Sequence, residues 1–589
     1  MPALLYTVEA LDLHAHLFRV TLTIPEPAAQ QTVSLPMWIP GSYLVREFSK
    51  NLQNLRARQG RRQAALQQLD KCSWQIDAQP GQALQLQYEV YAFDHSVRTA
   101  WLDSRRGFFN GTSLCLRVHG QEHRPHQLTL LPVKGQSDWQ AATGLTPVKT
   151  DKKGFGLYQA ADYDELVDCP VELGSFWSGR FKACGIEHRF VVAGALPSFD
   201  GERLLADTQK ICEAEIRFWH GQGAQAGRKA PHKNYLFMLN AVDDGYGGLE
   251  HRNSTALICG RRDLPRMGEK KTGEGYTTLL GLISHEYFHT WNVKRLRPAE
   301  FSRYDYAQEN YTQLLWFFEG FTSYYDDLFL RRAGLIDDAT WLQLQAKNIN
   351  PLRQTPGRLL QTVAQASFDA WVKYYRVGEN TPNATVSYYG KGALVALCLD
   401  LTLRQSGSSL DDAMRALWAR TGGGPLREAD VRRVLKQLAG RSLDAELDAW
   451  VHSTAELPVE ALLQAAGVKV QDEPVPLAQQ LGLRVSETGG AVQIKTVLRG
   501  SAAEAAGLAA GDEWLGIELA PLKRGQAAEA WCIGKLDEVA WLRGARQRVV
   551  ALVSRDRRLL RCPLEWPTAA QAVRLSAQDA AAVGRWLGG

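Results

Sequence analysis

The stretch that most constrains this chain is GYTTLLGLISHEYFHTWNV, residues 275–293. Its apolar residues recur at helical spacing, and Thr277 offers an N-cap. Set into that run are His285, Glu286 and His289 in the pattern HExxH. Positions i and i+4 share one face of a helix, so the two imidazoles can be turned toward one ion. The residues before, within and after the motif are apolar, so this helix is expected to be partly buried. Buried polar side chains need partners, and these histidines must therefore bond to something. A plain solvated helix face is the alternative that such surroundings disfavour.

A metal ion would supply that partner, and the next helical pattern supplies a third ligand. YTQLLWFFEGFTSYYDDLFLRRAG (311–334) carries Glu319 alone in an aromatic run. A carboxylate there should not be buried unpaired. His285, His289 and Glu319 would hold a single Zn²⁺ and leave its fourth position open for water, as catalytic zinc requires. Glu286, beside the first ligand, is placed to take a proton from that water as it attacks a carbonyl.

Two further segments carry chemistry. GYGGLEHRNST (245–255) follows a buried-strand pattern, YLFMLNAV, and places Glu250 after Gly247 and Gly248. Glycines let a backbone approach a ligand closely. An acidic side chain there would suit a protonated amine, and an ordinary edge-strand carboxylate is the equally open alternative. SYYGKGALVALCLDL (387–401) puts Tyr388 and Tyr389 at the entry to a helix. A phenol at that point either donates a hydrogen bond to a developing oxyanion or packs among other aromatics.

The 589 residues exceed what one core supports. Residues 1–190 alternate apolar and polar positions in runs such as VTLTIP and ALQLQYEVYAF, which predicts a β-rich N-terminal domain. Residues 191–334 mix helical patterns with the buried strand and contain HExxH. Residues 335–470 read as helical. Short strands and glycines return over 471–567, and 568–589 reads as a helical tail. A net charge of +5 is weak for this length, and no aromatic-interleaved basic stripe accompanies it, so nucleic acid is not expected as a partner. No long apolar run or signal peptide is seen, which points to a cytoplasmic location away from membranes. The nine cysteines are scattered without a CxxC pair, as expected of reduced thiols. Nothing in the sequence fixes the oligomeric state.

HEYFHTWNVKRLRP, WFFEGFTSYY, GGLEHRNS and SYYGKGALVALCLDL together resemble the glycyl aminopeptidase family of zinc metallopeptidases, distant relatives of the aminopeptidase N and leukotriene A4 hydrolase group. LPMWIPGSYLVREF (35–48) and DHSVRTAWLDSRRGFFNGTSL (94–114) are similar to that family too, so the resemblance spans nearly the whole chain. It implies a multidomain α+β architecture: a β-rich N-terminal domain, a thermolysin-like catalytic domain, an α-helical domain and a C-terminal PDZ-like domain. By the same resemblance His285, His289 and Glu319 bind zinc and Glu286 is the general base. Glu250 holds the substrate's free α-amine, Gly247 and Gly248 line the peptide backbone, and Tyr389 stabilises the oxyanion, with Tyr388 as the alternative. The implied activity is removal of N-terminal residues, small ones such as Gly and Ala, from peptides with a free N-terminus. Glu319 lies 30 residues after His289, farther than in the aminopeptidase N group. The extra residues are expected to loop out within VKRLRPAEFSRYDYAQEN. Leu249 and His251 stand where that group has Met and Asn, which affects amine recognition rather than the metal set.

LGLRVSETGGAVQIKTVLRGSAAEAAGLAAGDEWLGIE (481–518) resembles a PDZ core. Leu481, Gly482 and Leu483 match its carboxylate-binding loop, which takes a peptide C-terminus as an added strand. A peptide, an intramolecular ligand or no ligand at all remain open for it. Two rivals to the aminopeptidase reading stand beside it: an endopeptidase using the same zinc, and a PDZ-containing binding protein whose metal site is inert.

Overall fold

The computed structural model describes residues 2–223, 226–521, 526–568 and 570–588. It is a multidomain α+β protein, β-rich at its N-terminus and helical in much of its C-terminal half. Its contacts group into two compact units, Met1–Tyr311 with Tyr325–Ile336 and Arg415–Arg427, and Thr312–Tyr324 with Asp337–Met414 and Glu428–Gly589.

In the first unit, strict alternation builds the N-terminal sheets. Leu17–Ile24 buries Phe18, Val20, Leu22 and Ile24 and turns the residues between them outward. Leu84–Tyr91 does the same with Leu84, Leu86, Tyr88 and Val90. Side chains alternate faces along a strand, so such a run can lie only with one face on a core. These strands are central in an eight-stranded sheet, accompanied by two four-stranded ones.

A separate five-stranded sheet follows, in the order Trp177–Ala183, Ile186–Ala193, Asn234–Val242, Ser254–Gly260, Tyr246–Glu250. Its first two strands, read from the sequence with the β-rich region up to 190, are members of this sheet. Asn234–Val242 pairs in parallel on both sides, which is why YLFMLNAV is apolar throughout rather than alternating. The helix Gly201–His220 makes the crossover, started by the Asp200 carboxylate accepting from Arg203 N and closed at Gly221 with φ 89°. Tyr246–Glu250 is the antiparallel edge strand.

The motif helix spans Glu274–Phe288. Its N-cap is Gly273, not Thr277. The Thr277 hydroxyl instead donates back to the Gly273 carbonyl at 3.2 Å, so the helix gains most of a turn upstream. His289 is the C-cap, still near helical at φ −59° and ψ −17° with its N–H on the His285 carbonyl, so the i, i+4 relation survives at the helix end.

In the second unit, Tyr388–Gln405 is buried along most of its length, in keeping with an apolar sequence on all sides. Residues 483–565 form a sheet whose main path runs Leu483–Thr488, Ala491–Val497, Glu513–Leu519, Arg548–Arg555, Arg558–Glu565, with Glu529–Cys532 also on Glu513–Leu519. The stretch read as a helical tail is a strand, Gln571–Ala577, followed by the helix Ala580–Gly588. QAVRLSA alternates, burying Val573 and Leu575, and pairs along Val468–Pro474. Period-2 burial over seven residues outweighed the alanine-rich composition that suggested helix. All nine cysteines are free thiols. Among the described residues no helix is long and apolar enough to cross a membrane.

Candidate active site

Burial of the motif helix follows from its sequence: Leu279, Ile283, Tyr287 and Phe288 are at most 1% exposed. Tyr287 turns its hydroxyl away from the motif face, where it meets His188 Nε2 at 2.9 Å and His232 Nε2 at 3.0 Å. The helix is thereby fixed about its axis by both packing and hydrogen bonds.

That rotation leaves His285 and His289 side by side. His289 Nδ1 lies 2.7 Å from the Asn292 carbonyl, which can only accept, so Nδ1 carries the proton. His285 Nδ1 lies 3.0 Å from Asp326 Oδ2 and donates in the same way. With both protons on Nδ1, neutral rings carry lone pairs on Nε2, and the two Nε2 atoms face each other at 3.1 Å. Two lone pairs at that distance repel, and a cation shared between them removes the conflict. A carboxylate or backbone carbonyl holding the outer nitrogen is what metal-binding histidines use to fix tautomer and aim.

Asp326 belongs to the helix Leu315–Arg332, and Glu319 precedes it by two turns on the same face. The ligand atoms of His285, His289 and Glu319 all lie within 4.8 Å of one another, a spacing that fits one metal ion. Glu319 is 2% exposed and His289 1%. Burial pushes the Asp326 carboxyl up, and His285 pulls it back down. Behind the motif, Ser284 Oγ meets Glu215 Oε1 at 3.0 Å and the Asp326 carbonyl at 2.9 Å. Glu215 is fully buried, and burial raises its pKa well above the usual range, with the Ser284 hydrogen bond opposing.

Glu286 and Gly248 are interlocked. A Cβ on Gly248 would stand 2.0 Å from Glu286 Oε1, so only glycine lets the edge strand and the carboxylate occupy their places. Arg98 Nη2 donates to the Gly248 carbonyl at 3.0 Å and holds that strand end. Gly247 adopts φ 155° beside it.

Glu250, 4% exposed, has a second glycine against its carboxylate. A Cβ on Gly41 would meet both oxygens at 2.6 Å, and Gly41 has φ 91°, which favours glycine on its own account. Nearby, Lys294 Nζ lies 2.9 Å from Asp168 Oδ1, and His251 Nδ1 3.0 Å from the same oxygen. Burial alone would raise the Asp168 carboxyl; Lys294, His251 and Arg252 together hold it well below the usual carboxylate range. Burial pulls the Lys294 pKa down, but Asp168 and Glu250 raise it further than that. The ammonium thus stays charged without water.

Residues 293–310, expected to hold the loop, are mostly turns and irregular backbone, yet they bury aromatics of their own. Phe301 and Tyr306 are 1% and 4% exposed. Phe301 stacks on Tyr43, Tyr304 meets Trp38 edge-on, and Trp38 Nε1 donates to the Asp305 carbonyl at 2.7 Å. Residues 301–306 thus pack on Trp38 and Tyr43, which flank Gly41 in the chain.

In the second unit, Ser387 caps the helix Tyr388–Gln405 by accepting from Gly390 N. Tyr388 is fully buried, with Tyr374 and Tyr389 at 4.8 and 4.7 Å between ring centroids. Tyr389 is partly exposed, its hydroxyl 3.5 Å from that of Tyr375. Burial, and after it the charge of Glu319, push the Tyr389 phenol well above its ordinary pKa, so it keeps the proton a donor needs.

Sequence reasoning passed over Asp326, Lys294, Asp168 and Gly41. Asp326 was legible as a second acid on the Glu319 face. The others announce themselves only through contacts between distant segments.

The chain matches the Peptidase M61 N-terminal domain over residues 5–175 and the M61 glycyl aminopeptidase domain over 278–395. A solved aminopeptidase N family protein from Idiomarina loihiensis is 35% identical and superposes with a TM-score of 0.92, covering 99% of this chain and 100% of that chain. An M1 zinc metallopeptidase from Deinococcus radiodurans is 15% identical with a TM-score of 0.47, covering 78% of this chain and 94% of that chain, too remote to bear on the chemistry. No curated protein matches. Two family domains in order, and a 35% identical relative aligned from end to end, make this chain a metallopeptidase of the M61 glycyl aminopeptidase family.

Proposed function

We propose that the protein is a zinc aminopeptidase that removes N-terminal residues, small ones such as Gly and Ala, from peptides. The observation that carries the metal is the pair of facing Nε2 atoms at 3.1 Å, each ring fixed from behind, with a Glu319 oxygen in the same group. Zinc bound to His285, His289 and Glu319 would supply Lewis acidity toward a water molecule and the scissile carbonyl. Glu286 takes the proton of the attacking water and returns it to the leaving amine. Glu250, its buried carboxylate walled by Gly41, receives the α-amine. Lys294 is tied to Asp168 at 2.9 Å, which leaves Glu250 for the amine. Gly247 and Gly248 line the peptide backbone. Tyr389, partly exposed and protonated, is favoured over the fully buried Tyr388 as the oxyanion donor.

On this reading, residues 191–334 form a thermolysin-like catalytic domain, 335–470 a helical domain and 471–567 a PDZ-like domain. Leu483–Thr488 is an edge strand, a position at which a peptide can add as a further strand.

The test is hydrolysis of alanyl and glycyl p-nitroanilide beside their N-acetylated forms, with and without a zinc chelator. Chelator-sensitive cleavage of the free-amine compounds alone is expected. Equal cleavage of the blocked compounds would make the enzyme an endopeptidase and remove Glu250 from its role. No cleavage by folded, zinc-loaded protein would leave a binding protein with an inert site.

A further inference from the structure

Two residues beyond Tyr389, the same helix carries a charged group that peptide hydrolysis does not use. Lys391 is 3% exposed, yet its ammonium makes no hydrogen bond or close ion pair with the described residues. It lines a cavity of about 430 Å³ together with Leu352, Leu394, Leu457 and Val459. That is a size at which proteins hold small organic molecules, and apolar side chains share its lining with charged ones. At the rim Arg358 Nε pairs with Glu456 at 3.0 Å, and Arg353 pairs with Glu460. Both arginines are thus answered by carboxylates, and Lys391 is the cation left over. Burial depresses its pKa; Glu456 partly opposes this, and Arg358 adds to it. A buried ammonium without a close anion is costly, and a ligand carboxylate would relieve that cost. With each rim glutamate paired to an arginine, one cation is left unanswered, which suits a ligand with a single negative charge. The leucine and valine walls favour an alkyl group.

We propose that this cavity binds a monocarboxylate with a compact apolar body, its carboxylate on Lys391 and its alkyl part against Leu352, Leu394 and Leu457. Two sources share that chemistry: a short fatty acid, and an apolar amino acid whose ammonium would also meet Glu456. The cavity is a ligand site separate from the metal centre, and it does not depend on the aminopeptidase reading.

Calorimetric titration of the full-length, zinc-loaded protein with hexanoate, leucine and hexylamine tests it. Hexanoate or leucine should bind saturably, hexylamine should not, and Lys391→Gln should weaken the carboxylates by at least about tenfold. Leucine tighter than hexanoate would identify the amino acid as the natural class, and the reverse the fatty acid; either supports the site. Should Lys391→Gln fail to fold, Leu457→Trp fills the apolar wall from the half-buried lip, leaves the charge in place, and should weaken binding as much. Absence of saturable carboxylate binding to the unaltered protein would overturn the proposal. So would an affinity that neither variant changes, because the carboxylate would then be bound elsewhere, the metal included.

Discussion

Around the motif helix the structure buries Glu215 and Lys294, half-buries Asp326 and Asp168, and gives each a partner drawn from another segment. In the sheet of residues 483–565, the charges lie mostly outside: Arg548 and Glu565 pair at 81% and 73% exposure. Its core, from Leu483 and Ile494 to Val553 and Leu564, is apolar. One exception is Asp512, fully buried, which accepts from Ala509 N and from Arg555. The contrast teaches what each region is built to do. An apolar core with exposed charges is the inexpensive way to be stable, since polar burial brings a desolvation cost that pairing only partly offsets. The motif region accepts that cost at several residues because two imidazole lone pairs must be held facing each other.

Substitutions that break the contrast should rank accordingly. Glu286→Gln should come first. Zinc content should stay at the parent's level while kcat falls about 10²–10⁴-fold, as the proposed role of a base that is not a ligand requires; metal analysis beside steady-state kinetics checks both halves. Tyr389→Phe should lower kcat by about 10²–10³-fold with little change in KM, as expected for a donor used only in the transition state. A near-normal rate would transfer the role to Tyr388 or end it. Asp326→Asn should weaken zinc binding about 10–100-fold by disturbing His285, read by competition with a chelator of known affinity.

The other side of the comparison predicts smaller and different effects. Asp512→Ala should destabilise the C-terminal sheet by about 1–3 kcal/mol, because Ala509 N–H loses its buried acceptor, and leave kcat unaltered. Urea denaturation beside the activity assay separates the two. Arg548→Ala, at an exposed pair, should stay within about 0.5 kcal/mol of the parent. A large loss there would mean that the exposed charges of this sheet matter more than their setting suggests.

Much of this arrangement was legible in the order of residues. HExxH in an apolar run fixed a buried helix with two imidazoles on one face, because helical periodicity is a local property. Glu319 in an aromatic run declared its need for a partner, and Asp326, seven residues on, lay on the same face for anyone who extended the pattern. Alternation in LFRVTLTI and the unbroken apolar YLFMLNAV distinguished a one-sided antiparallel strand from a parallel one buried on both faces. Local signals failed where two patterns competed. Thr277 looked like a cap, but the chain found another residue upstream, and QAVRLSA looked helical until a partner strand at Val468–Pro474 used its alternation.

What the sequence determined by itself is the chemistry available: two imidazoles and two carboxylates, at spacings that helices convert into direction. What only the tertiary structure decided is who stands behind them. Gly41 against Glu250, Gly248 against Glu286, Asp168 on Lys294 and residues 301–306 on Trp38 and Tyr43 each join segments far apart in the chain. Such pairings depend on how sheets and helices pack, and packing depends on every core side chain at once, so no window of neighbouring residues contains them.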